Sequence, residues 1–167
     1  MNDSTNICLS CGICCDGTLI GFVELDKAEM PALKNLMEIE DSDNGGFFLQ
    51  PCKKFCDGCT IYAHRPKNCD NFKCKLLNSV DQKELGFETA VAIIEVVKQK
   101  KLALEAQLAE LKIVLKSPSF YFKMVELRNL LLQKKSEPAF PPKHKVLLAD
   151  LENLDSLLSK EFGVSLN

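Results

Sequence analysis

Nine cysteines crowd the first 74 residues of this 167-residue chain and none follows them. "CLSCGICC" at residues 8–15 sets Cys8, Cys11, Cys14 and Cys15 as C-x2-C-x2-C-C. Thiols this close in a short segment can turn inward on one centre while backbone amides face the sulfurs. Gly12 and Gly17 admit backbone angles closed to other residues. The thiolate is the ligand form, and a divalent metal or an iron–sulfur cluster offsets its charge. Four thiolates complete either tetrahedral zinc or a four-iron cluster, and the spacing admits both. A second group comprises Cys52, Cys56, Cys59, Cys69 and Cys74. Its opening, "PCKKFCDGC", is C-x3-C-x2-C, the spacing of enzymes that bind S-adenosylmethionine on an iron–sulfur cluster. That chemistry needs a partial or full α/β barrel, and the chain has neither the length nor the βα alternation for one.

The residues around the second group suit a fixed loop. Ile61 and Tyr62 supply apolar anchors, Pro66 restricts the backbone, and Arg65 is suited to donate to loop carbonyls. Lys53, Lys54, Lys67, Lys73 and Lys75 add positive charge that would offset thiolates. His64 reads as an exposed loop imidazole and His144 as a solvent-facing residue at a helix start. With two histidines and no triad or phosphate-cradling loop, hydrolytic catalysis has little to draw on. A formal charge of -2 gives no general attraction to nucleic acid or anionic lipid. No stretch approaches the roughly 18 apolar residues of a membrane span, and "MNDSTNICLS" lacks a secretory pattern. The expected location is the cytoplasm, where reducing thiol pools disfavour structural disulfides and leave metal ligation as the commoner use of cysteine.

The elements that must position these sulfurs divide at about residue 80. Before it, "CLSCGICCDG" reads as a loop and "TLIGFVEL" as a strand. "DKAEMPALKNLM" reads as a short helix with Asp26 as N-cap and Glu29 in the capping-box place. "EDSDNGG" reads as a turn and "FFLQ" as a second strand. After it, Phe87, Val91, Ile94, Val97, Leu104, Leu108, Leu111 and Leu115 recur at helical steps, which predicts a helix from 82 to 116 about 50 Å long. "KQKK" at 98–101 is a candidate interruption. Ser117 and Pro118 would open a second helix, and "SEPAFPPK" would end it. Leu147, Leu151, Leu154 and Leu158 mark a third helix, stopped by Gly163. The predicted class is α+β: a loop-rich cysteine module over 1–80, then a helical extension over 81–167 packed on it. The 46% apolar content is enough for a core.

"CLSCGICC" followed by C-x6-C-T-I-Y-x2-R-P-x2-C-x2-F-x-C resembles the YkgJ-type cysteine-cluster proteins, described as zinc- or iron-chelating, over roughly residues 8–76. The resemblance implies a metal ligand set of Cys8, Cys11, Cys14, Cys15, Cys52, Cys59, Cys69 and Cys74. It also implies a metal ion or iron–sulfur cluster as the bound partner. Two positions depart from the family pattern: Cys56 stands where an apolar residue is usual, and Asp70 where a basic one is frequent. Cys56 is therefore the least secure ligand. Two zinc sites, two clusters or one multinuclear centre are all compatible with eight thiols. Related clusters also resemble those of flagellin lysine N-methylases, so a component of an S-adenosylmethionine-dependent protein methylase is a second expectation. A zinc-stabilised module that binds a protein partner through its helical segment is a third.

Overall fold

The computed structural model describes residues 3–135 and 140–166. Its elements are α1 (Asp3–Cys11), β1 (Phe22–Asp26), α2 (Met30–Leu33), β2 (Glu40–Ser42), β3 (Gly45–Leu49), α3 (Lys67–Asn71), α4 (Lys75–Asp81), α5 (Phe87–Glu110), α6 (Phe120–Lys135) and α7 (Pro142–Leu157). A 3-10 turn at Tyr62–His64 precedes α3, and a π-helical turn at Leu158–Phe162 extends α7. The class is α+β, as the composition and periodicity predict.

The three strands form one antiparallel sheet in the order β1-β3-β2. Phe22 pairs with Leu49 and Asp26 with Gly45, while Glu40 pairs with Phe47 across the other edge. β1 alternates as a one-sided strand must, with Val23 and Leu25 buried and Phe22, Glu24 and Asp26 exposed. With Met30, Leu33, Met37 and Phe48 they make a small core under the sheet. A larger core is helical: Ile94, Val97, Leu104 and Leu108 of α5 meet Met124, Leu127 and Leu131 of α6 and Leu147, Leu151 and Leu154 of α7. Each leucine removed wholly from water contributes about 1.5–3 kcal/mol. The leucine stripes are thus internal, and no partner groove follows from them. Residues from the cysteine-bearing half also enter this core: Ile7, Ile13, Leu19, Leu76, Leu77 and Val80.

Several boundaries differ from expectation. Residues 3–11 are helical, not looped, because Cys8 and Cys11 are three apart and Ile7 is buried between α1 and its neighbours α4 and α5. The polar turn at 40–46 contains an unforeseen strand, β2, wholly exposed along its length. The helix expected over 82–116 begins at Phe87 and ends at Glu110, about 36 Å at 1.5 Å per residue. "KQKK" stays helical. The α6 cap is Ser119, whose Oγ accepts the Phe122 N–H at 3.2 Å, in place of Ser117. α2 is only one turn, starting after Glu29 with Pro31 in its first turn; Glu29 still accepts the Asp26 N–H at 3.2 Å. Gly163 ends the last turn with φ +72°, as anticipated. The break over 136–143 lies partly outside the described residues. His144 is half-buried against Phe140, not solvent-facing.

Candidate metal centre

One cavity of about 550 Å³ lies where the two cores meet, and eight of the nine cysteines line it: Cys8, Cys11, Cys14, Cys15, Cys52, Cys59, Cys69 and Cys74. Cys56 is exposed and lies outside the lining. The C-x3-C-x2-C spacing therefore does not bring its own three sulfurs to one place. The rest of the wall is mainly apolar, including Leu76, Leu77, Phe48 and, from the far end of the chain, Phe162.

Local structure explains the placement. Cys8 and Cys11 sit one turn apart on α1, and Gly12, at φ +71°, ends that helix in the left-handed region. The turn at 12–19 is closed by the Asp16 N–H on the Gly12 carbonyl at 2.8 Å and the Leu19 N–H on the Ile13 carbonyl at 2.9 Å. Gly17 is also left-handed, at φ +81°. The two cysteine loops join where the Cys52 N–H donates to the Cys15 carbonyl at 2.7 Å. Phe55 of the second loop fills the space beside Gly12: a Cβ there would lie 2.2 Å from Phe55 Cζ. Cys74 stands at the N-cap of α4, and Cys69 is on α3, which packs on β1.

The electrostatics of the thiols follow from enclosure. Burial, opposed by the Ile13 N–H, pushes Cys11 up to about 12. Burial, reinforced by the neighbouring cysteines, does the same to Cys15 and Cys69 and takes Cys14 well above its ordinary value. Cys8, Cys52 and Cys74 are raised for the same first reason. Lys54 works against the rise at Cys52, Arg65 at Cys8 and Cys69, and Lys98 at Cys11. Burial thus favours the neutral thiol at seven of these cysteines, and a cation among them would reverse that balance. Among the described residues, no three His, Cys, Asp or Glu side chains stand close enough to hold a metal ion as they are; the eight cysteines are spread around the cavity wall. As a donor set the eight cysteines fit a thiophilic metal.

The flanking residues divide. Arg65 donates from Nη1 to the Tyr62 carbonyl at 3.0 Å and lies 3.8 Å over the Tyr62 ring. That is the structural role expected of it. Lys53 and Lys67 pair with Glu38 and Asp26, and Lys75 Nζ donates to the Lys160 carbonyl at 2.9 Å, so these three lysines are engaged away from the sulfurs. His64 is exposed and off the cavity wall. Sequence reasoning missed Phe55, Phe162 and the pair Asp16–Lys101, 2.9 Å apart, which ties the first cysteine loop to α5. Nothing local announces them.

The family model described as "CxxCxxCC: Putative zinc- or iron-chelating domain" matches residues 7–96, more than half of the chain. No curated protein and no solved structure matches it. No helix among the described residues is long and apolar enough to cross a membrane. The chain belongs to this cysteine-cluster family, the YkgJ type its motifs resemble, and membership carries metal binding by cysteines.

Proposed function

We propose that this is a cytoplasmic metal-chelating protein whose ligands are the thiolates of Cys8, Cys11, Cys14, Cys15, Cys52, Cys59, Cys69 and Cys74, with residues 1–80 as the binding module and 81–167 as the extension that closes it. The observation that carries the reading is the lining of one cavity by these eight sulfurs with Cys56 outside it. Bound metal would supply the positive charge that eight crowded thiolates lack, and ligation would stabilise the loops, as in other small metal domains. The cavity of about 550 Å³ leaves more room than bare ions need, which favours polyatomic iron–sulfur cores over zinc.

Anaerobic purification followed by metal analysis and an absorption spectrum tests this. Iron with inorganic sulfide and a brown colour is the expected result. Stoichiometric zinc in a colourless protein would keep chelation and replace the metal. Cys11→Ser and Cys69→Ser lower the loading, whereas Cys56→Ser leaves it unchanged. A loss at Cys56 equal to that at Cys69 would overturn the ligand set.

A further inference from the structure

The eight sulfurs sort by what lies behind them. Cys11, Cys14 and Cys74 pack against the helical core, whereas Cys52 and Cys69 pack against the sheet core. The backbone places the other three. Cys15 is joined to the second loop by the bond from the Cys52 N–H to its carbonyl, and the Phe55–Cys59 bridge folds Cys59 back over that same loop. Cys8 lies one turn before Cys11 on α1, which packs on α4 directly after Cys74. Cys14 and Cys15 are neighbours in a turn, yet Cys14 packs on the helical core while the Cys15 carbonyl is held by the second loop. One dipeptide is therefore suited to serve two centres.

Resting on the chelation reading above, we infer that the cavity holds two tetrathiolate sites: Cys8, Cys11, Cys14 and Cys74 on the helical side, and Cys15, Cys52, Cys59 and Cys69 on the sheet side. The sites abut at the Cys14–Cys15 peptide.

Cadmium is the probe: the reduced full chain is titrated with it anaerobically and followed by native mass spectrometry and cadmium NMR. Two ions per chain are expected, each correlated with the β-protons of four cysteines in the stated sets. Cys74→Ser should remove one ion and preserve the other's resonance, and Cys69→Ser the reverse. With ferrous iron and sulfide in place of cadmium, either variant should retain half the iron. One ion per chain, cysteine sets that mix, or loss of both ions from one substitution overturns the division while leaving chelation standing. No bound cadmium, iron or zinc at all overturns chelation with it. The wild-type correlations decide the matter even where a serine variant fails to fold.

Discussion

At the scale of single residues, the cysteine loops depend on one position without a side chain. Gly12 is left-handed, and its missing Cβ is the space that the Phe55 ring occupies. Gly12→Ala brings two penalties: about 1–2 kcal/mol for the backbone conformation and about 1–3 kcal/mol for overpacking against the ring. Thermal denaturation of the metal-loaded protein should register about 2–5 kcal/mol. Adding Phe55→Leu should recover the packing share and leave the backbone share. A substitution at Gly12 with no effect would remove Phe55 from its place as the contact between the loops. The eight cysteines that line the cavity are those the family resemblance implies, because a cysteine motif keeps its residue type and local spacing in view. Phe55 was not legible in the sequence, since an aromatic ring facing a glycine 43 positions away leaves no periodic or compositional trace.

At the scale of elements, what was legible is what local rules decide. The α5 and α7 stripes, the Gly163 stop and the β1 alternation all follow from burying one face. What failed was decided by neighbours. β2, with Glu40, Asp41 and Ser42 all exposed, carries no alternation and exists because β3 offers it a pairing edge. α1 carries cysteines where a helix would ordinarily show leucines. "KQKK" continues α5, and two of its charges find partners: Lys98 with Glu95 at 3.0 Å and Lys101 with Asp16 at 2.9 Å. The second of these pairs is the more consequential. Its side chains are 16% and 25% exposed, so solvent screens it less than a surface pair, and Lys101 also lies 5.3 Å from the Phe120 ring centre. Lys101→Met should destabilise the chain by about 1–2 kcal/mol. In a double-mutant cycle with Asp16→Asn, urea denaturation should give a coupling energy of about 1 kcal/mol. Additive effects would mean that α5 and the cysteine loop are not held together by this pair.

At the scale of the whole molecule, the far end of the chain helps to wall the cavity, so the tie that holds that end becomes part of the site. Phe162 lines the cavity from the last helical turn. Beyond it, Asp155 gathers the terminal residues: its Oδ1 accepts the Leu166 N–H at 2.7 Å and the Ser165 hydroxyl at 3.1 Å, and its Oδ2 accepts Arg128 at 2.6 Å. Arg128 donates in turn to the Leu166 carbonyl at 3.1 Å. Burial alone would raise the Asp155 carboxyl, but these donors outweigh it and hold it below the ordinary aspartate range. A carboxylate depressed in the folded state stabilises that state fully above its unfolded value of 3.8, and this stabilisation is lost as pH falls from there through the lower folded value. Asp155→Asn keeps the shape and removes the charge, so at pH 7 it should cost about 2–3 kcal/mol. The gap from wild type should be constant between about pH 5 and 8 and close progressively on acidification below the unfolded value. Denaturant midpoints of both proteins across that range measure it. A gap that stays constant through the acid limb would mean that the Asp155 charge does not hold the end of the chain, and Phe162 would then need another anchor at the cavity wall.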